Sequence, residues 1–308
     1  DQKILFPHSM GIFYQAITQF LGFKNYGDEY KVMGLSSYGK PIFEKELSKV
    51  LFNTNFGYEL NLDYFTHHKN GVKMSWNDGA PVVEPFHSAR LEQEMGAMRK
   101  KDEKMTPRHD NIAKSLQVVT EEIILHMLNR LYDKTKCPNL CMTGGVAMNS
   151  VANGKITTAT PFENVYIPAG AADNGTSFGA AFYVWNKVLG KPRSFVQDHA
   201  YWGCESSDAE CAESIRKVGL PFEMLEGDHL LESTVQHMID GKVVGWFEGK
   251  MEFGARALGS RSLIADPRRA DMRDIINLRI KFREKFRPFA PSILEEEVGR
   301  SIQTITAT

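Results

Sequence analysis

Residues 139–181 read NLCMTGGVAMNSVANGKITTATPFENVYIPAGAADNGTSFGAA. An apolar run at 139–142 leads through two glycines into a helical pattern. A second run at 164–167 leads through Pro168-Ala169-Gly170 into a helical pattern over 174–185. Strand, glycine turn and helix repeated in this order predict parallel strands that are covered by helices. The fold class that we expect is therefore α/β.

The rest of the pattern divides the chain into two parts. Helices are predicted over 9–21, 27–39 and 112–131, and a hairpin that turns at Asn70-Gly71 is predicted over 63–76. After a linker at 190–198, the pattern restarts with helices over 208–218 and 230–239 and a strand over 243–247. We therefore expect one domain over residues 1–195 and another over residues 200–308.

The composition argues against several classes of protein. The chain has 308 residues, of which 42% are hydrophobic, so it can bury more core than one domain usually holds. Its 37 Lys and Arg balance 38 Asp and Glu, and the net charge of -1 gives no general attraction for nucleic acid or an acidic membrane. The apolar runs are short and interrupted, so no membrane span is expected. The four cysteines lack zinc-ligand spacing and follow no secretory signal, which indicates reduced thiols in the cytoplasm.

Two turns within residues 139–181 are candidate ligand sites. Gly144-Gly145 precedes a helical pattern, where backbone N–H groups point outward and favour a phosphate or hydroxyl group. Such a turn also occurs for geometry alone. Asp173 follows the second strand. It is either the N-cap of the next helix or a carboxylate in the crevice where α/β proteins bind ligands.

Basic residues cluster towards the C-terminal end. Five of them alternate with other side chains: Arg279, Lys281, Arg283, Lys285 and Arg287. As a strand, this segment would place all five on one face, which suits either a polyanion in a cleft or a protected sheet edge. Upstream, the loop over 249–262 places Arg256 and Arg261 among three glycines, and arginine forks bind phosphate. We expect the loop and the basic segment to form one anion site.

These motifs together resemble the NodU/CmcH-type O-carbamoyltransferases. The similar segments are FPHSMGIFY (6–14), EYKVMGLSSYG (29–39), TGGVAMNSVANGKI (143–156), PAGAADNGTSFGAA (168–181), EFGARALGSRSLIADPR (252–268) and KFREKFRPFAPSILEE (281–296). They follow the family's order and extend over almost the whole chain. Ala255 departs from the family, which usually has Pro in the corresponding GPRALG loop.

The resemblance implies a fold and a reaction. Residues 1–195 would be the second lobe of an actin/ribonuclease-H-like domain, and residues 200–308 would be part of a YrdC-like domain. The chain would then be a fragment that lacks the N-terminal lobe and the extreme C-terminus. In the implied reaction, carbamoyl phosphate and the co-substrate ATP give carbamoyl adenylate and pyrophosphate. A hydroxyl group of a sugar or another small natural product then accepts the carbamoyl group, and AMP leaves.

The resemblance also assigns a nucleotide and metal site. Asp173 corresponds to the metal-ligand aspartate of the family's DNG motif, for a divalent metal that would be iron, magnesium or manganese. Residues Gly144, Gly145 and Asn149 correspond to the family's nucleotide-binding turn. Glu29 and Lys31 correspond to a segment beside the nucleotide.

Phosphate binding and proton transfer are assigned in the same way. The residues that correspond to the family's basic loops are Arg256, Arg261, Lys281, Arg283 and Arg287, of which Arg256 and Lys281 are expected to act in catalysis. His8 is either the group that assists proton removal from the acceptor hydroxyl or a structural histidine.

One family feature does not occur, and three alternatives stay open. The paired metal histidines of an HxxxH segment are not found in these 308 residues, so the chain as given is expected to bind metal poorly. A tRNA threonylcarbamoyl transferase is disfavoured by the pI near 6.8, and a hydrogenase-maturation carbamoyltransferase by the lack of zinc-finger cysteines. An inactive nucleotide-binding or assembly module is the third alternative. The sequence does not identify the acceptor, the metal or the oligomeric state, and it is compatible with a homodimer.

Overall fold

A computed structural model of the chain describes residues 2–100 and 102–298, and the chain divides into two compact units. The first unit contains the residues up to Trp202 together with Glu252–Arg256, and the second contains Gly203–Met251 and the residues from Ala257 onward. Both units combine helices with small sheets, which confirms the α/β class at that level. The division into domains over 1–195 and 200–308 stays a prediction.

The first unit holds most of the regular structure. Its helices are α1 (Met10–Phe20), α2 (Glu29–Leu35), α3 (Glu44–Leu47), α4 (His67–Asn70), α5 (Arg90–Met95), α6 (Pro107–Thr135), α7 (Ser150–Asn153), α8 (Ile156–Ala159) and α9 (Thr176–Phe182). Its strands are β1 (Leu51–Asn53), β2 (Tyr58–Leu60), β3 (Met74–Asn77), β4 (Ala80–Val83), β5 (Asn139–Cys141) and β6 (Asn164–Tyr166). The pairs β1–β2 and β3–β4 are antiparallel, whereas β5 and β6 are parallel.

Helices α1 and α6 form the centre of this unit. Nine of the eleven residues of α1 are buried, and the N-cap side chain of Ser9 accepts a hydrogen bond from the backbone N–H of Ile12. Phe13 and Ile17 of α1 and Leu116 of α6 are completely buried. Burying a side chain of this size contributes about 1.5–3 kcal/mol. The observed spans of α1 and α6 confirm the helices that apolar spacing predicts over 9–21 and 112–131.

The parallel pair β5–β6 positions two turns at one edge of the sheet. Both strands end at the same edge, and a turn rich in small residues follows each of them. The backbone N–H of Gly144 and the hydroxyl of Thr143 both donate to the carbonyl oxygen of Ala171, at 2.7 and 2.9 Å. Gly144 has a φ of 100°, which favours glycine. The two turns are therefore fastened to each other.

The second unit is built from three helices and an antiparallel strand pair within the described residues. They are α10 (Asp208–Lys217), α11 (Asp228–Ile239), α12 (Met272–Ile275), β7 (Val244–Phe247) and β8 (Arg261–Ile264). Ser207 and Glu210 cap the start of α10 reciprocally. A π-helical turn over Ile276–Ile280 follows α12. Across the described part of the chain, no helix combines the length and apolar character needed to cross a membrane.

The hairpin predicted over residues 63–76 is wrong. Residues 67–70 form α4, and the hairpin is β3–β4, which turns at Asp78-Gly79 with φ values of 48° and 79°. Gly71 instead ends α4, with a φ of 73° and its N–H bonded to the carbonyl oxygen of His67. A glycine with positive φ suits a helix end as well as a hairpin turn, so the Asn-Gly signal is ambiguous.

The strand predicted over residues 279–287 is also wrong. The segment begins in the π-helical turn and then bends at Phe282, which has a φ of 46°. Asn277 is completely buried, and its side-chain amide donates to the carbonyl oxygens of Lys285 (3.3 Å) and Arg287 (2.9 Å). These bonds fold the segment back on itself, so its basic residues do not share one face of a strand.

Candidate functional site

A cleft of about 750 Å³ lies in the first unit. Its lining comes from the N-terminal half of α1, Tyr26 and Gly27, three residues of α2, the turns after β5 and β6, and residues 255–256. Val72 and Phe86 complete it. The carboxyl ends of parallel strands are where α/β proteins bind ligands. The glycine turns that the sequence singles out therefore meet at one site.

Asp173 lines this cleft and faces Tyr26. The Tyr26 hydroxyl donates to Asp173 Oδ2 at 3.5 Å. Burial, and next the charge of Asp173, raise the pKa of Tyr26, so the hydroxyl keeps its proton. Asp173 begins a short 3-10 turn but its side chain caps no backbone N–H. Of the two interpretations of Asp173, the geometry favours a carboxylate in the crevice.

Glu29 is a second carboxylate in the cleft. It is the first residue of α2 and is half-buried. Burial is the largest influence and raises the pKa of Glu29; the charge of Asp28 adds to it, while backbone N–H groups of Glu29 and Gly27 oppose it. Lys31, predicted beside Glu29, does not line the cleft and pairs with Asp28 at 2.9 Å.

Asn149 lies in the cleft floor, with both ends of its amide paired to Gln117 of α6. Gln117 Nε2 donates to Asn149 Oδ1 at 2.9 Å, and Asn149 Nδ2 donates to Gln117 Oε1 at 3.1 Å. Asn149 Oδ1 also accepts the N–H of Ala152, and Asn149 thereby caps the start of α7. Gly145 lines the cleft, whereas Gly144 is engaged with Ala171. The amide of Asn149 is thus used within the protein.

The floor continues as a network of hydrogen-bonded polar side chains that the sequence does not predict. Tyr14 donates to Gln117 at 3.0 Å, Gln117 donates to Glu121 at 2.8 Å, and Lys155 pairs with Glu121 at 2.5 Å. Burial, followed by the charges of Glu121 and Glu29, raises the pKa of Tyr14. The sequence carries no signal for it, because polar residues one turn apart, like those at 117 and 121, occur equally on exposed faces of helices.

Arg256 brings a positive charge to the cleft. It is exposed, it belongs to the first unit, and its guanidinium carbon lies 5.0 Å from the centre of the Tyr30 ring. A guanidinium over an aromatic ring is held in orientation while its N–H groups stay available. Arg256 can therefore meet a phosphate or another anion in the cleft.

The other predicted basic residues belong to the second unit. Arg261 donates to the carbonyl oxygens of Glu248 (2.7 Å) and Gly249 (3.0 Å), and so holds its own loop. Arg283 donates to Asn277 at 2.7 Å, Arg287 is buried and pairs with Glu284 at 3.3 Å, and Lys281 is exposed. A single anion site that combines Arg256 with these residues stays a prediction.

His8 lies outside the cleft lining. Its Nδ1 accepts the backbone N–H of Leu60 at 3.0 Å, which fixes the ring against β2. His67 lies nearby, with Nε2 2.9 Å from the carbonyl oxygen of Pro7. This placement favours the structural interpretation of His8 over a role in proton transfer.

A metal would find an incomplete ligand set here. In the described part of the chain, no group of three or more His, Cys, Asp or Glu side chains is placed to hold a metal ion. Asp173 offers one carboxylate, and its hydrogen-bonding neighbour Tyr26 keeps its proton. These residues do not fit a bound metal by themselves.

A larger cavity of about 970 Å³ also lies in the first unit. Aromatic side chains such as Phe178, Phe182 and Phe195 line it, and its charged residues are Lys187 and Arg193. It contains no carboxylate that could take a proton. The smaller cleft is the better candidate, because both carboxylates, Arg256 and the glycine turns converge there.

Comparison with known proteins gives matches to one family. Residues 1–182 match the family described as carbamoyltransferase N-terminus, and residues 235–307 match the one described as carbamoyltransferase C-terminus. The chain is 38% identical over 306 residues to the uncharacterised protein sll1178 of Synechocystis, covering 96% of this chain and 48% of that protein. It is 34% identical over 305 residues to nodulation protein NolO of Bradyrhizobium diazoefficiens, covering 97% and 51%.

A third relative carries a reaction in its name. The chain is 30% identical over 161 residues to the 3'-hydroxymethylcephem-O-carbamoyltransferase of Streptomyces clavuligerus, covering 52% of this chain and 29% of that enzyme. The chain spans about half the length of sll1178 and NolO. The N-terminal family match alone extends over more than half of this chain. The chain therefore belongs to the NodU/CmcH-type carbamoyltransferase family, which is a family of enzymes.

Proposed function

We propose that the protein is an ATP-dependent O-carbamoyltransferase that acts on a hydroxyl group of a sugar or another small natural product. The first unit would be the second lobe of an actin/ribonuclease-H-like domain, and the second unit part of a YrdC-like domain. The observation that carries the proposal is the cleft in which Glu29, Asp173 and Arg256 converge beside Gly145. The Streptomyces relative supports the class of reaction, since its name states O-carbamoyl transfer.

The first step would activate the carbamoyl group. Water converts carbamoyl phosphate to carbamate and phosphate. A carbamate oxygen then attacks the α-phosphorus of ATP, so that a new P–O bond forms and pyrophosphate leaves. We assign this step to the second unit, where Lys281 is exposed and able to meet phosphates.

The second step would take place in the cleft of the first unit. The oxygen of the acceptor hydroxyl attacks the carbamoyl carbon, the bond from that carbon to the phosphate oxygen breaks, and AMP leaves. Arg256 offsets the negative charge of the leaving phosphate. Asp173 orients the acceptor by taking a hydrogen bond from its hydroxyl group.

In this step, Glu29 accepts the proton of the acceptor hydroxyl. Its raised pKa brings it closer to the range in which a carboxylate accepts a proton efficiently. His8 is a weaker choice, because its Nδ1 is bonded to the backbone and the residue does not line the cleft.

The proposal is tested with the full-length protein, ATP and carbamoyl phosphate. Without an acceptor, pyrophosphate release should require both substrates and should fall in Lys281→Ala, whereas Arg256→Ala should slow only the transfer step. With sugars and hydroxylated natural products added, mass spectrometry should detect a carbamate ester. The adenylate step is refuted if pyrophosphate release is no faster with carbamoyl phosphate than with ATP alone.

A further inference from the structure

Gln15 has a buried side-chain amide nitrogen without a hydrogen bond to any of the described residues. It lies midway along α1 and is 8% exposed. Its Nε2 is shielded from solvent and has no hydrogen-bond partner within the described residues. A buried donor without a partner destabilises the folded state, so such groups call for an explanation.

The second buried glutamine of α1 shows that the surroundings of the helix do supply partners. Gln19 lies one turn after Gln15. Its Oε1 accepts the N–H of Phe86 at 2.9 Å, and its Nε2 donates to the carbonyl oxygens of Val83 (3.3 Å) and Glu84 (3.2 Å). Gln15, in contrast, lines the cleft, and Gln19 does not. Gln15 therefore lines the cleft with a side chain whose amide nitrogen has no partner among the described residues.

The chemistry of a primary amide suggests which group would pair with it. An amide offers an N–H donor and a carbonyl acceptor side by side, whereas Glu29 and Asp173 accept as carboxylates and Arg256 only donates. The floor of the same cleft contains such a pairing, because the amides of Gln117 and Asn149 exchange two hydrogen bonds. A carbamoyl group carries the same H₂N–C=O arrangement, while an acetyl group lacks the N–H donors.

We propose that Gln15 pairs with the carbamoyl group of the bound substrate and sets the preference for carbamoyl over other acyl groups. The inference rests on the proposed function, because it places a carbamoyl ester in this cleft. Gln15 is then a specificity-determining residue, since one amide recognises both the carbonyl oxygen and the amino group of the substrate.

Two uncharged probes isolate this contact. They are the carbamate ester and the acetate ester of adenosine at its primary hydroxyl, which differ only in an amino or a methyl group. The full-length protein should bind the carbamate ester about tenfold more tightly, which corresponds to one net hydrogen bond. Gln15→Met keeps the volume of the side chain and should bind both esters equally. Gln93→Met, an exposed glutamine on α5, is the matched control and should behave as the wild type.

Isothermal titration calorimetry measures the binding of both esters, and each outcome either supports or overturns the inference. A preference that is present in the wild type and lost in Gln15→Met supports it. Equal binding of the two esters by the wild type, or a preference that persists in Gln15→Met, overturns it and leaves the proposed function standing. If neither ester binds to the wild type, the nucleotide role of the cleft falls, and this inference falls with it. If Gln15→Met does not fold, Gln15→Ala decides in its place, because it also removes both the donor and the acceptor of the amide.

Discussion

Gln117 of α6 and Asn149 of the turn after β5 face each other through their side-chain amides and exchange two hydrogen bonds, of 2.9 and 3.1 Å. Gln117 is 1% exposed and also bonds to Tyr14 and Glu121. One side chain thus connects α1, α6 and the glycine turn beneath the cleft. A buried polar network is stabilising only when every member is satisfied.

Replacing Gln117 by Leu should destabilise the protein. The change leaves the Tyr14 hydroxyl and Asn149 Nδ2 without a partner and removes one of the hydrogen bonds of Glu121, so we expect the free energy of unfolding to fall by about 2–4 kcal/mol. Urea denaturation measures this difference. Arg130→Leu, on the exposed part of the same helix, should change it by less than about 0.5 kcal/mol. Equal effects of the two substitutions would show that the network adds no stability.

The sequence predicts the parts of this site that depend on local pattern. Apolar spacing identifies α1 and α6, and the two glycine turns follow strands that are parallel. The burial of Gln117 cannot be predicted, because a polar residue beside an apolar stripe gives the same sequence pattern whether it is buried or exposed. The sequence also does not predict that Glu252–Arg256 belong to the first unit, since local sequence patterns do not encode contacts between segments that are far apart in the chain.

The basic segment over 279–287 shows why a period of two can mislead. Alternating charges predict a strand, but Asn277 bonds to backbone carbonyls further along the chain and overrides that preference. We expect Asn277→Ala to lower the free energy of unfolding by about 2–4 kcal/mol, because the side chain of the buried Asn277 makes three hydrogen bonds, to the carbonyl oxygens of Lys285 and Arg287 and to Arg283, and all three are lost. The control is Gln236→Ala, an exposed amide on α11 with a single bond to Asp240, which should cost less than about 0.5 kcal/mol. A loss in Asn277→Ala as small as in the control would contradict this role.

Glu29 should determine the acid side of the pH profile of carbamoyl transfer. Burial raises its pKa above the ordinary 4.5, so the reactive carboxylate is lost at a higher pH than for an exposed glutamate. The transfer rate should therefore fall as pH decreases through this raised pKa. Glu29→Gln should slow transfer about a hundredfold or more and abolish that limb of the profile.

The stability of the protein should respond to Glu29 in the opposite direction. Because the folded state binds the proton more tightly than the unfolded state, the protein gains stability through this group as pH falls below the raised pKa. Glu59→Gln, an exposed residue of β2, should leave both the pH profile and the stability unchanged. An acid limb that survives in Glu29→Gln would assign the proton to another group.

Asp173→Asn should separate the two chemical steps. The asparagine keeps the shape of the side chain but loses its negative charge and one acceptor oxygen, so it orients the acceptor hydroxyl poorly. We expect transfer to fall about a hundredfold while pyrophosphate release continues at the wild-type rate.

Both rates are measured on the full-length protein by product mass spectrometry and a coupled pyrophosphate assay. Asp133→Asn, an exposed aspartate near the end of α6, should change neither rate. Tyr26→Phe removes only the hydrogen bond to Asp173 and should reduce transfer by less than about tenfold. A parallel loss of pyrophosphate release in Asp173→Asn would mean that activation also depends on the cleft of the first unit, and the assignment of one step to each unit would then have to be abandoned.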